Sequence, residues 1–396
     1  MEFLRRLFGG LPLGYALRNI AVRRASAFFT AVGVALTVAV FAGVISLREG
    51  LEQVYKPRGD VDLGIYLRLG ATSEGESGIG RRQADEIVKE RPEILRNAEG
   101  RPMAAEESYL AVYMNKIGGG VTNVPLRGVQ PMSLELHGNA LELVEGRWLR
   151  FGSDEVVVGR ALSERIQNCQ VGDTIRLNTT PFKVVGVFDN AGVYGGEVWG
   201  DVERMMEALE RPFFQRILAR LQPDQDLEKI AKDLETDASH PCKFQSEREY
   251  MASQTLLLGF ALTFLAVFLT LIMGLAAVLG AIITMLASVT ARTHEVGVLL
   301  ALGYKRRAIF FAFLFEALLI GLIGGALGVL LVMPFDGMKT GAMNWNTFTD
   351  ISFEFQVTPG LMAVSVGLAL LLGIVGGVLP AFRASLLKPV EAFRAL

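Results

Sequence analysis

The sequence predicts a membrane protein of mixed α+β class: four transmembrane helices, with a large extracytoplasmic α+β domain inserted between helices 1 and 2. Three observations predict it. Of the 396 residues, 51% are hydrophobic and the mean hydropathy is +0.37, too apolar for an ordinary soluble chain, yet 20% are charged, too many for spans alone. Four stretches are long enough to cross a hydrocarbon core of roughly 30 Å, which takes about 20 helical residues. Between the first and second of these lie 207 residues, 48–254, that are rich in charge and in short β-branched runs.

The first span, 25–47, carries no charge between Arg24 and Arg48. No small-residue cleavage site follows Ile45, so it reads as a retained anchor rather than a leader. The second, 255–290, holds an uncharged run of 34 residues, Leu256–Val289, with no proline to interrupt it. At about 1.5 Å per residue such a helix is about 51 Å long and overshoots the membrane as a stalk. The third span is 308–333, and the fourth 357–380.

Short flanks set the expected orientation. Residues 1–24 hold Arg5, Arg6, Arg18, Arg23 and Arg24 against Glu2. The elbow 291–307 holds Arg292, Lys305, Arg306 and Arg307 against Glu295, and the tail 381–396 holds Arg383, Lys388 and Arg394 against Glu391. The connection 334–356 is acidic instead, with Asp336, Asp350 and Glu354 against Lys339. Positive-inside bias therefore places both termini and the elbow in the cytoplasm, and 48–254 and 334–356 outside.

In the outer domain, alternation within Leu51–Leu69 predicts a strand, Gly70–Gly80 a loop and Arg81–Arg91 a helix. Strands follow near Ala104–Met114 and Val124–Val129, with a turn at Gly118–Gly120 between them. Val156–Val158 and Val184–Val187 read as buried strands, and Arg160–Ile166 and Leu227–Leu234 as helices. The segment carries 26 basic and 34 acidic residues, a poor platform for nucleic acid. Cys169 and Cys242 both lie in it; two separate buried thiols are preferred over a disulfide, which oxidising surroundings would permit.

No G-x-x-x-x-G-K-[ST], H-E-x-x-H or G-x-S-x-G motif occurs, and His137, His240 and His294 are scattered. Neither a nucleotide site, a metal site nor a hydrolase site is expected. Asp60 and Asp62 share a strand face but read as solvated. His294 and Glu295 are adjacent on a helix and point about 100° apart, so they do not form an acid–base pair.

Glu316 lies inside the third span, where a carboxylate costs a few kcal/mol unless it faces protein or water. It reads either as a hydrogen-bond or ion-pair partner that fixes helix packing, or as a group hydrated near the interface. The pairs Gly321/Gly325, Gly324/Gly328 and Gly373/Gly377 mark faces where helix backbones can approach closely.

The motif Arg292-x-x-Glu295-Val-Gly297…Ala301-Leu-Gly303, then Phe315-Glu316-Ala317, then Gly321-x-x-Gly324-Gly325-x-x-Gly328, resembles the FtsX/MacB-type ABC-transporter permease family. The ending Leu379–Arg394 is similar to that family's, with Phe393 for the usual Leu, and His294 stands where a basic residue is frequent. Leu13–Ile20 with Arg23 and Arg24 resembles its cytoplasmic amphipathic leading helix, and Glu145–Trp148, Glu155–Arg160, Val171–Thr174 and Val184–Val187 resemble its MacB-like core domain.

The resemblance implies a non-catalytic permease subunit of the bacterial inner membrane, worked by a separate cytoplasmic ABC ATPase that holds the ATP and Mg²⁺. It implies a dimer with a second copy or a paralogue, membrane lipids as surroundings, and in some relatives a periplasmic adaptor. Mechanotransmission through the helices would move an amphiphilic substrate (lipid, lipoprotein, peptide or drug) on the outer face. The alternative is an FtsX-like regulator that activates a cell-wall hydrolase or other outer partner. The residues expected to couple to the ATPase are Arg292, His294, Glu295, Val296, Gly297, Leu300, Gly303 and Lys305, the apolar ones through burial in the partner.

Overall fold

The computed structural model describes residues 24–56, 63–190, 192–344 and 349–388. The leading-helix motif before Arg24, the Asp60/Asp62 pair and the ending beyond Lys388 lie outside them. The chain divides into two compact units, one from the described parts of Met1–Gly50, Leu258–Met338 and Glu354–Leu396, the other from those of Leu51–Leu257 and Lys339–Phe353.

Helix α1, Arg24–Val54, continues past the last apolar residue of the first span. Leu51–Val54 are thus helical rather than extended: charges at Arg48, Glu49 and Glu52 end the apolar run without ending a backbone that has no Gly–Pro break there. The strand expected in this region, β1, occupies Leu63–Arg68.

The second unit is built on a ten-stranded mixed sheet. In chain order its elements are β2 (Ile79–Gly80), α2 (Arg81–Glu90), β3 (Ala104–Asn115), β4 (Val121–Val129), α3 (Pro131–His137), β5 (Glu142–Gly146), β6 (Glu155–Gly159) and α4 (Arg160–Ser163). There follow β7 (Thr174–Leu177), β8 (Thr180–Asp189), β9 (Val198–Asp201), α5 (Val202–Ala208), β10 (Phe213–Phe214), β11 (Arg216–Arg220), α6 (Leu227–Thr236) and β12 (Cys242–Ser246). The strand order is β12-β1-β11-β3-β4-β9-β6-β8-β5, with β7 paired to β8, and β2 pairs with β10 apart from this sheet. The β4/β9 and β6/β8 pairs are parallel and the others antiparallel.

Gly119 and Gly120, at φ +90° and +85°, let the β3–β4 connection reverse tightly. Side-chain caps start two of the helices: Asp201 accepts from Arg204 N at 3.0 Å and Asp226 from Lys229 N at 3.1 Å. The stretch expected to be loop, Gly70–Gly80, contains a 3₁₀ turn at Glu74–Glu76 that buries Glu74. Two apolar clusters fill the unit. Tyr66, Ile87, Ile217 and Cys242 belong to one, and Val156, Phe182, Met205 and Cys169 to the other. The two cysteines are unbonded and buried in separate clusters.

From Glu247 the chain runs as one 45-residue helix, α7, to Ala291. Helix α8 (Thr293–Ala301), α9 (Arg306–Val332) and α10 (Pro359–Ser385) follow. Pro359 and the Thr358 hydroxyl, which accepts from Leu361 N at 3.1 Å, start α10. Helices α1, α7, α9 and α10 are each long and apolar enough to cross a membrane. The connection between the last two folds into a hairpin, β13 (Lys339–Met343) with β14 (Asp350–Glu354), that belongs to the sheet-bearing unit.

Candidate functional site

The elbow is a helix between two helices. At Arg292, with φ −114° and ψ 14°, α7 stops and α8 starts. Gly303 closes α8 at φ +90°, a left-handed conformation that glycine adopts without Cβ strain. Gly303 N donates to Leu300 O and Tyr304 N to Leu299 O, both at 3.1 Å, satisfying carbonyls left open at the helix end.

The coupling residues named by the sequence separate onto two sides of this helix. Arg292 turns inward: its Nη1 donates to Glu316 Oε2 on α9 at 3.0 Å, and its guanidinium lies 6.0 Å from the Phe313 ring centre. Val296 and Gly297 are buried, and Val296 belongs to an apolar cluster with Met285, Val289, Ile309, Phe313, Ala381 and Ala384, against which Leu300 packs partly buried. The apolar side of the elbow, expected to be buried in a partner, is thus used within the chain, because α7, α9 and α10 already provide an apolar wall. His294, Glu295, Gly303 and Lys305 are exposed, together with Arg306, Arg307 and Leu302, the last 72% exposed.

The glycines line three contacts. A Cβ on Gly321 would stand 2.8 Å from Ala369 O, and one on Gly325 2.7 Å from the Ala369 methyl, both on α10. Gly324 and Gly328, on another face of α9, oppose α1: their Cβ atoms would lie 2.8 Å from Ala31 O and 2.7 Å from Val38 Cβ. Gly373 and Gly377 of α10 face Ala317 of α9. Gly376, which the glycine spacing did not single out, faces Ala281 of α7 at 2.8 Å.

The sheet-bearing unit contains a second polar constellation, invisible to motif reading. Arg127 and Arg216, 2% and 0% exposed, are enclosed with Glu74, Glu107 and Glu197. Burial pushes the Glu107 carboxyl up, but the charges of Arg216 and Arg127 prevail and hold it down at about 2. Burial also holds the neighbouring His137 imidazole down to about 3, so it is neutral at physiological pH.

Comparison with known proteins gives two family matches. Residues 27–237 match the family described as MacB-like periplasmic core domain, and 267–389 the FtsX-like permease C-terminal family. The macrolide export ATP-binding/permease protein MacB of Bdellovibrio bacteriovorus is 25% identical over 99% of this chain and 62% of its own length. This chain therefore spans less than two thirds of that relative. An ABC transporter permease of Bacillus subtilis, YvrN, is 24% identical over 96% of this chain and 98% of its own length. The crystallised periplasmic region of MacB from Actinobacillus actinomycetemcomitans is 14% identical over 50% of this chain and 93% of that one, with a TM-score of 0.36.

Proposed function

We propose, from the premise that this chain belongs to the FtsX/MacB-type ABC-transporter permease family, that it converts ATP hydrolysis in a cytoplasmic ABC ATPase into movement of its outer domain. That movement displaces an amphiphilic substrate on the outer face. The chain acts as a non-catalytic subunit of a dimer, with its termini in the cytoplasm. The ATP-binding machinery lies outside these residues, which hold no phosphate-binding loop.

One observation supports this reading most: the elbow helix is fastened on its inner side by the Arg292–Glu316 pair and presents charge and Leu302 on the other. A surface fastened in that way passes a push to α7 and α9 instead of absorbing it. Helix α7 has 45 residues, about 68 Å at about 1.5 Å per residue against a hydrocarbon core of about 30 Å. It is long enough to carry motion beyond the membrane without a conducting pore.

The test is a distance. Spin labels at the exposed Leu257 of two protomers change separation between nucleotide-free and ATP-bound states of the reconstituted transporter. A separation that stays fixed while ATP is hydrolysed and substrate moves rejects the reading.

A further inference from the structure

Glu107, Arg127 and Arg216 lie on one face of three neighbouring strands, β11-β3-β4, with Glu197 just before the next strand, β9. Glu107 stands opposite Arg216 in the β3/β11 register, Tyr109 opposite Arg127 in β3/β4, and Arg127 opposite Trp199 in β4/β9. Arg127 holds Glu197 with two bonds, Nε at 2.7 Å and Nη2 at 2.8 Å, and its Nη1 reaches Glu74 at 2.8 Å. Arg216 holds Glu107 through Nε at 2.7 Å and the other oxygen of Glu74 through Nη1 at 2.8 Å. The Glu74 carboxylate is thus shared between the two guanidiniums. Trp199 Nε1 completes Glu197 at 2.8 Å.

Three further segments of the unit close over this face, and each is a continuation of a membrane helix or of the link between two. The first turn of α7 supplies Glu247, which accepts from Tyr194 OH at 2.8 Å, while Arg216 Nη1 donates to that same hydroxyl at 3.2 Å. It also supplies Tyr250, whose hydroxyl accepts from Glu74 N at 3.1 Å. The residue after α1, Tyr55, accepts from Asn344 Nδ2 of the hairpin segment at 2.8 Å. In that segment Asn344 N donates to Thr349 O at 2.8 Å, and Thr349 hydrogen-bonds Tyr109, whose ring lies 5.2 Å from the Arg127 guanidinium.

We propose that the Arg127/Arg216/Glu74/Glu107/Glu197 cluster is the joint that fixes the incoming end of α7, the outgoing end of α1 and the β13–β14 segment to the sheet, so that the sheet moves with them. Burying such a cluster is costly, and apolar side chains of similar volume would serve stability as well or better. Apolar packing is non-directional and can slide. Two guanidinium forks sharing one carboxylate cannot be displaced without breaking several short, directional bonds together. Rigidity is what the arrangement adds. The proposal rests on the mechanotransmission reading and specifies where in the outer domain the motion is received.

The test uses the reconstituted full-length dimer with its ATPase and two label sites, Leu257 in α7 and the exposed Tyr113 on β3. In the wild type, both inter-protomer separations shift with nucleotide. The double variant Tyr194→Phe/Tyr250→Phe keeps the ring packing and the Arg–Glu core but cuts the two hydroxyl bonds that join this cluster to α7, and Arg216→Lys keeps the charge but loses the fork. In both, the nucleotide-driven shift at Leu257 is kept, the shift at Tyr113 is lost, and transport falls while ATP hydrolysis continues. A shift at Tyr113 that follows Leu257 as in the wild type, in either folded variant, overturns the joint. A Leu257 separation that never moves in the wild type rejects the underlying reading instead.

Discussion

Arg292, at the break between α7 and α8, and Glu316, inside α9, form an ion pair at 3.0 Å, with both side chains less than a tenth exposed. The carboxylate that the sequence marks as expensive inside a span is matched by the cation that the sequence assigns to the elbow surface. One bond thus accounts for both residues.

Breaking this pair from one side leaves a buried charge uncompensated. Glu316→Leu or Arg292→Leu is expected to cost about 3–5 kcal/mol, and the double substitution clearly less than the sum. Glu316→Gln keeps a hydrogen-bond acceptor and falls between. Thermal unfolding of the four variants in detergent closes the cycle; single losses that simply add would show that the two groups do not interact.

The two glycine faces of α9 meet different helices, so their substitutions separate. Gly325→Leu presses on Ala369 of α10, whereas Gly324→Leu presses on Ala31 and Val34 of α1. Each is expected to cost about 1–3 kcal/mol of overpacking. Cysteine cross-linking between α9 and α10 should weaken only in the first, and between α9 and α1 only in the second. Equal effects on both pairs would contradict the assignment of faces.

Glu295→Lys reverses a charge on the exposed side of α8 while Val296 and Arg292 stay packed. Membrane insertion is expected to match wild type, while substrate movement per ATP falls. Leu302→Asp, at a residue 72% exposed, should behave alike. Wild-type coupling in both variants would remove this face from the ATPase contact.

Acid is expected to weaken the sheet-bearing unit in two stages. His137 is held at about 3 against an ordinary 6.5, so from 6.5 downward the unfolded chain takes up a proton that the native one refuses, and stability falls. Glu107, held at about 2 against an ordinary 4.5, adds the same sign below 4.5. His137→Phe should flatten the upper stage and leave the lower. Unfolding followed by tryptophan fluorescence, Trp199 lying 5.5 Å from the His137 ring, reads both. An unchanged upper stage in the variant would exclude His137 as its source.

The sequence by itself determined what depends on counting along the chain. Uncharged runs of about 20 residues must be spans because a helical backbone satisfies its own polar groups in lipid. The valine runs Val156–Val158 and Val184–Val187 became strands β6 and β8 because β-branched side chains between glycines suit a buried pleat. The polar or mixed strands β9, β11 and β12 were not assigned, since nothing in their local pattern outweighs a loop or helix reading until neighbours pair with them. Glycine spacing showed that α9 has two small faces; only the fold decided that one meets α10 and the other α1. Glu107, Arg127 and Arg216 carry the largest difference. Period-two alternation marks a strand face as polar, which from sequence means solvent, but says nothing of what covers it. Here Glu74, Tyr194 and the first turn of α7, far apart in the chain, close over that face and turn a row of ordinary surface charges into a buried cluster. Burial of a charge depends on all the elements around it, and no one segment of sequence holds that information.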